Sequence, residues 1–435
     1  MADRPNILFV FTDQQSLRAM GAYGNAYMRT PHMDALAAEG VRFVNSYCAA
    51  PVCGPSRASI VTGRMPHQVG VDFNDLPLRE GVPTLGEVFR EAGYAAAWAG
   101  KWHLSDGFMS APDTAGFESL ALPQPSRLGD VSDAPITDAA IAYLQREHDQ
   151  WFLLAVSYVN PHDICHWIIN DWPDPAPERA LPPLPASFEV ASDEPAFIRE
   201  CRQRTHYGGE AQRTRDWNEA RWRAYLKAYA CYVERVDHEV GRLMRALRER
   251  GLDDDTLVIF TSDHGEGMAA HRWVVKLMFW EEVAGVPLIA RWPGHVPAGE
   301  QRRQLACGVD LLPMMCDYAG IEPPEGVVGR SLRSAIEDAA APSQPFVVSE
   351  LQPDTDDAAK IGRMLRTPRF KYIVFSRGDR REMLFDIEAD PNEMRDLATD
   401  AAHAATLTQH RDLLCDWMAR TGDHFPVEVI AESRA

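Results

Sequence analysis

Apolar positions along this chain follow two alternating patterns. Short unbroken runs rich in β-branched and aromatic residues read as strands buried on both faces: Asn6 to Thr12, Tyr94 to Ala99, Trp151 to Ser157, Thr256 to Thr261 and Val286 to Ala290. Between them, apolar residues recur at helical spacing over Met33–Glu39, Thr84–Ala92, Asp133–Glu147, Asn218–Arg250 and Asp310–Ala319. Strands alternating with helices predict an α/β fold, here a large central mixed β-sheet sandwiched by helices. Past Pro342 the pattern changes. Phe346–Ser349, Met364–Phe375 and Leu384–Ile387 suggest a small antiparallel sheet, followed by a helix near Ala401–Arg420. The expected organisation is a main domain over residues 1–342 and a C-terminal α+β subdomain over 343–435. A stretch from about 170 to 216, first dense in proline and acids and then Arg-rich, has little periodicity. It reads as a long insertion over the C-terminal edge of the sheet, where long loops are often functional.

Composition narrows the function classes. An apolar content of 46% and a charged content of 25% in 435 residues describe a globular chain able to bury a large core. The formal charge of −19 argues against nucleic acid, and an anionic substrate would need a local cluster of positive charge to overcome it. Eight scattered cysteines with no Cys-x-x-Cys pair argue against a disulfide framework or a structural zinc site. No apolar stretch is long enough to cross a bilayer, and Met1 leads into the first strand without a basic or hydrophobic leader. The chain therefore reads as cytoplasmic, or periplasmic or secreted if a leader was removed, with no membrane partner.

The candidate chemistry follows the strands. Thr12-Asp13-Gln14-Gln15 and Ser262-Asp263-His264-Gly265 each follow one, as do Gly100-Lys101-Trp102-His103 and Asn160-Pro161-His162-Asp163. Open α/β sheets place ligands beyond the C-terminal ends of their strands. Lys276 lies among Val274, Val275 and Leu277, with His271 upstream. Each motif alone has a bland reading: a helix-capping acid, a solvated Lys/His pair, a surface lysine, a small buried cysteine. Together with Cys53-Gly54-Pro55-Ser56-Arg57, continued to Thr62-Gly63-Arg64, they resemble the signatures of type I sulfatases, of the alkaline phosphatase-like superfamily. The string from Met383 to Ala398, with its Asp-Pro-Asn turn, resembles the closing motif of that family.

The resemblance, which runs from Asn6 to about Leu397, implies a sulfuric ester hydrolase. Cys53 would be oxidised to formylglycine by a formylglycine-generating enzyme and act as the hydrate. Arg57 would anchor it. Asp13, Gln14, residue 53, Asp263 and His264 would hold a divalent metal, calcium by family expectation, with manganese or magnesium as alternatives. Lys101 and Lys276 would meet the sulfate, His103 the formylglycine hydroxyl and His162 the bridging oxygen. Two departures stand out. Many sulfatases carry an acid where Gln14 stands, and the Asp-Gln/Asp-His pairing also occurs in phosphonate monoester hydrolases; the usual acid before His271 is Ala270. A phosphonate monoester or phosphodiester hydrolase is thus the second reading, and a metal- or sulfate-binding protein with unmodified Cys53 the third. For the leaving group, Trp167, Trp172, Trp217 and Trp222 suggest sugar stacking, and Arg199, Arg202, Arg204, Arg213 and Arg215 a carboxylate or second sulfate. The blander alternative places Trp222 in the core and the arginines on a solvated face. A sulfated saccharide is favoured over an aryl or choline ester.

Overall fold

Strand β1 (Asn6–Asp13) is the centre of the molecule. Its side chains alternate between two cores: Ile7, Phe9 and Phe11 on one face, Leu8 and Val10 on the other, all fully buried. The computed structural model describes residues 4–104, 107–109, 115–203 and 210–432. Around β1 stand β2 (Val41–Tyr47), β3 (Ala95–Gly100), the short β4 (Glu118–Ser119), β5 (Phe152–Pro161), β6 (Thr256–Ser262), β7 (Leu288–Arg291) and β8 (Glu300–Cys307). The sheet order is β4-β3-β5-β1-β6-β7-β2-β8, and only β7 opposes its neighbours. The C-terminal ends of β1, β2, β3, β5 and β6 therefore share one edge.

Helices Pro31–Glu39, Gly129–Leu144 and Glu219–Glu249 cover the Leu8/Val10 face. Cys53–Thr62, Leu85–Glu91 and Leu311–Ala319 cover the other. The expected strands and helices over this domain all form, with ends shifted by a few residues. Three strands were not anticipated: β2, β8 and the two-residue β4. β2 mixes arginine, asparagine and serine with its apolar positions, and β8 is the sheet edge, so its Glu300-Gln301-Arg302-Arg303 start is largely polar.

The second sheet, ordered β12-β11-β10-β9, is antiparallel: β9 (Val347–Leu351), β10 (Gly362–Arg366), β11 (Phe370–Phe375) and β12 (Glu382–Asp386). The run Met364–Phe375 is two strands, closed by a turn in which Thr367 N donates to Phe370 O. Helix Ala404–Thr421 packs on this sheet, and one apolar cluster joins both to Trp280, Val283 and Ala284 of the main domain. The Asp390-Pro391-Asn392-Glu393 turn closes with Glu393 N on Asp390 O. Its Glu393 carboxylate then accepts from Glu281 N and pairs with buried Lys371, which ties the two sheets together. Within the insertion, helices form at Ala196–Gln203 and Glu210–Arg213. Among the described residues no helix is long and apolar enough to cross a membrane.

Candidate active site

Five strand ends converge on Cys53, the first residue of helix Cys53–Thr62, all ten of whose residues are buried. The helix has no side-chain cap at Val52; instead Asn74 Oδ1 accepts from Gly54 N at 2.7 Å. Cys53 Sγ, which marks where a hydrated aldehyde would present its oxygens, lies 2.9 Å from Lys276 Nζ, 3.2 Å from His264 Nε2 and 3.7 Å from Asp13 Oδ1. Burial and Asp13 push the thiol's pKa up, yet Lys101, Lys276 and His264 pull it lower than an ordinary cysteine's.

Asp13, Cys53, Asp263 and His264 each offer one ligand atom, and these atoms lie within 4.8 Å of one another. His264 Nδ1 is held by Gly265 O at 2.8 Å, which leaves the Nε2 lone pair facing the cluster. Burial lowers the His264 pKa, but Asp263 and Cys53 raise it further, so the pocket draws positive charge onto that nitrogen. Such a field would let a divalent cation compete with the proton. The donor set fits a hard divalent metal. Gln14 sits beside it at φ 70°, with its backbone N on Asp263 Oδ1 at 3.0 Å and its side-chain Nε2 on Glu266 Oε2 at 2.5 Å.

Arg57 departs from its expected role. Its guanidinium spans Asp263 Oδ2 (2.8 Å), Asp13 Oδ2 (3.1 Å), Lys101 O (2.7 Å) and Ser157 Oγ (2.9 Å). It thus clamps the two carboxylates rather than residue 53, which suits a planar fork of five donors. Lys101 Nζ also pairs with Asp13 Oδ2. Burial opposes ionisation of Asp13, yet Lys101, His162, Arg57 and Lys276 keep its carboxyl well below the usual range. Gly100 before it is at φ 99°, and a Cβ there would meet Ser157 O at 2.1 Å. Only glycine fits that turn.

His103 and His162 border the same space. His103, at φ 57°, has Nε2 3.5 Å from Asp75 Oδ1, while its buried Nδ1 has no partner among the described residues. His162 Nδ1 is likewise buried and unpartnered among the described residues. Burial first, then the nearby lysines, lower both pKa values, so both rings are neutral in this state. Lys276 is delivered by a strained loop: Met268, Ala269, His271, Arg272, Val275 and Leu277 all have positive φ, and at β-branched Val275 (φ 56°) that is costly.

Three of these contacts went unread in the sequence. Asn74 and Asp75, which hold the helix start and His103, carry no motif. Glu266 does, as the fourth residue of Asp263-His264-Gly265-Glu266, and its carboxylate is the hub of the loop. It accepts from Gln14 Nε2, Tyr225 OH and Val275 N. Trp222 takes the core place that the blander alternative gave it, with one edge on the cavity beside Lys276, and the sugar-stacking expectation is corrected at Trp167. Trp167 and Trp222 are core residues packed with Trp217 and Tyr225, and Trp167 Nε1 is bound by Pro173 O. Half-buried Trp172 stacks on His166. Arg202 is closed by a bidentate pair with Glu194, and Arg204 lies outside the described residues.

The sulfatase family model matches residues 5–321, and a model of the N-sulphoglucosamine sulphohydrolase C-terminal region matches 269–419. The chain belongs to the sulfatase family. It is 34% identical to a Delta 4,5-hexuronate-2-O-sulfatase of Bacteroides thetaiotaomicron over 97% of this chain and 90% of that one. A solved structure of a protein in complex with its substrate D-glucosamine-2-N,6-O-disulfate superposes with a TM-score of 0.81 at 25% identity, covering 98% and 99% of the two chains. A phosphonate monoester hydrolase of Agrobacterium radiobacter superposes with a TM-score of 0.79 at 25% identity, covering 96% of each chain. The sulfatase therefore has both ester classes among its relatives, on one architecture.

Proposed function

We propose that this sulfatase hydrolyses a sulfate monoester carried by an anionic saccharide, from a formylglycine formed at position 53. The observation that carries the reading is the convergence on Cys53 Sγ of Lys276 Nζ, His264 Nε2 and Asp13 at 2.9, 3.2 and 3.7 Å. Asp13, residue 53, Asp263 and His264 would hold a divalent metal, with Gln14 at its rim; oxygen donors favour calcium. When bound, the metal would supply a positive charge beside the reacting oxygens. The aldehyde hydrate would supply an attacking oxygen and a second hydroxyl, which neither a thiol nor a serine has.

This chain's own residues do the rest. Lys101 and Lys276 bind sulfate oxygens and neutralise charge that grows in the transition state. Arg57 keeps Asp13 and Asp263 in place. His162 holds a proton for the bridging oxygen; the negative charge of the arriving sulfate ester offsets the lysines that depress its pKa. His103, oriented by Asp75 through Nε2, takes the proton of the second hydroxyl at Nδ1, so that sulfate can leave.

A cavity of about 670 Å³ opens from Lys276 and is lined by Arg199, Arg215 and Arg272, together with Arg202, whose charge is already paired with Glu194. On a chain of net charge −19, this cluster suits a leaving group with a carboxylate or second sulfate. The hexuronate sulfatase relative supports that choice. A side-by-side assay of an unsaturated hexuronate 2-O-sulfate, a glucosamine 6-O-sulfate, an aryl sulfate and an aryl phosphonate tests it. The expected order of kcat/KM is sulfated saccharide, then aryl sulfate, then phosphonate. Phosphonate turnover above sulfate turnover on matched leaving groups would overturn the sulfate assignment.

A further inference from the structure

Glu210 is a buried acid that the chemistry above does not use. It opens the short helix Glu210–Arg213, which packs against helix Asp163–Ile169 just after His162. Only 2% of its surface is exposed, and it lines the same arginine-rich cavity as Lys276. One side of its carboxyl group interacts with its own backbone amide, whereas Oε2 is shielded from solvent and has no hydrogen-bond partner among the described residues. Buried carboxyl oxygens are rarely left unsatisfied, because the desolvation is not recovered. Where one persists at a cavity wall, a ligand group is the simplest way to satisfy it.

We propose that Glu210 is a specificity-determining residue that hydrogen-bonds a hydroxyl of the leaving saccharide, next to the ester held by Lys276. This rests on the saccharide reading above. A hydroxyl both donates and accepts, so it matches the carboxyl in either protonation state. That freedom matters here. Burial pushes the Glu210 pKa up to about 7, with Glu266 adding to the rise and Lys276 and Arg213 opposing it. A carboxyl that takes up a proton this readily adds less repulsion toward an anionic sugar than a fixed charge would, and the other charged residues lining the cavity are cations. An aryl sulfate enters the same cavity but has no hydroxyl to offer.

The test compares Glu210→Ala and Glu210→Gln with wild type on the sulfated saccharide that wild type turns over best and on p-nitrophenyl sulfate. The readout is the ratio of the two kcat/KM values, with thermal melting as a check on folding. Glu210→Ala is expected to lower the saccharide-to-aryl ratio by about 10- to 100-fold, mainly through KM, and Glu210→Gln by less. An equal loss on both substrates would assign Glu210 a merely structural role and overturn the inference. So would an unchanged ratio. If wild type turns over aryl sulfate but no sulfated saccharide, the saccharide reading fails and takes this inference with it. A variant that cleaves saccharides normally refutes Glu210 alone.

Discussion

Two regions of this sulfatase bury charge, and they do so to opposite ends. Around the C-terminal sheet four buried ions are closed by partners: Arg363 on Asp423, Lys371 on Glu281 and Glu393, Arg411 on Glu382, His67 on Glu350. At the edge of the large sheet, Lys101, Lys276, Asp13 and Asp263 are instead gathered around one point, Cys53 Sγ. There the backbone is strained at Gln14, His103 and Val275, and imidazole nitrogens stand without partners. Closed pairs hold a docking surface in register, since removing either member strands the other. Open clusters hold a ready-made field for an anion, and the fold must stabilise it from elsewhere. Substitutions in the two regions should therefore separate activity from stability.

The largest expected effect is on turnover at Cys53. Cys53→Ala should abolish sulfate ester hydrolysis, by about 10⁴-fold or more, with the melting temperature kept or raised as a crowded charged centre loses its sulfur. Protein coexpressed with a formylglycine-generating enzyme should give a residue-53 peptide lighter than its cysteine form. Full-rate turnover by a protein that retains the thiol would break the comparison at its centre.

Next comes Asp263→Ala, which removes a carboxylate shared by the metal site and Arg57. Activity should fall about 10³-fold, and elemental analysis should recover less metal. A chelator should reproduce the activity loss in wild type. Undiminished rates in metal-free protein would disprove the metal assignment.

The stability arm belongs to His67. Its Nδ1 lies 2.6 Å from Glu350 Oε1 and its Nε2 3.1 Å from Thr421 O, which suits an imidazolium donating from both nitrogens. His67→Ala should cost about 3 kcal/mol, roughly 150-fold in the folding equilibrium, with little change in kcat. Burial lowers the His67 pKa, but Glu350 outweighs it and raises it above 6.5. A raised pKa means the pair contributes fully below pH about 6.5 and fades as pH climbs through the folded-state value. Denaturant melts at pH 5.5 and 8.5 should show wild type losing this increment at the higher pH, while the variant does not.

The smallest effect sharpens the boundary between the regions. Glu266 touches no reacting atom in the proposed chemistry but fixes Gln14 and the Lys276 loop. Glu266→Gln should reduce kcat/KM about tenfold through weaker placement of Lys276, with metal content nearly kept. A loss as large as that of Asp263→Ala would move Glu266 into the metal site itself.

Much of the frame was legible in the chain. Strands β1, β3, β5 and β6 are continuous apolar runs because central parallel strands are buried on both faces, and helix 219–249 announces itself by periodicity and an Asn218 cap. β2 and β8 were not legible, since polar residues break their apolar pattern. Four site motifs, at Asp13, Lys101, His162 and Asp263, could be placed because each follows a legible strand whose end had to lie on the same edge, whereas Cys53 and Lys276 were read from the family resemblance. Asn74 and Asp75 could not be read, because loop residues with no periodicity acquire a role only through where the chain returns.

The sequence by itself determined which chemical groups this protein owns: the cysteine string, the strand-end acids, the lysines and histidines, and the order in which they are threaded. Only the tertiary structure decided what each one touches. Arg57 reads as a partner for residue 53 but clamps Asp13 and Asp263, and Trp167 reads as a sugar platform but packs in a core. Glu210 reads as one acid in a polar stretch until folding seals it against the cavity beside Lys276. The reason is physical. Hydrophobic period and turn chemistry act over a few residues, whereas burial and electrostatic partnership arise between groups tens to hundreds of positions apart.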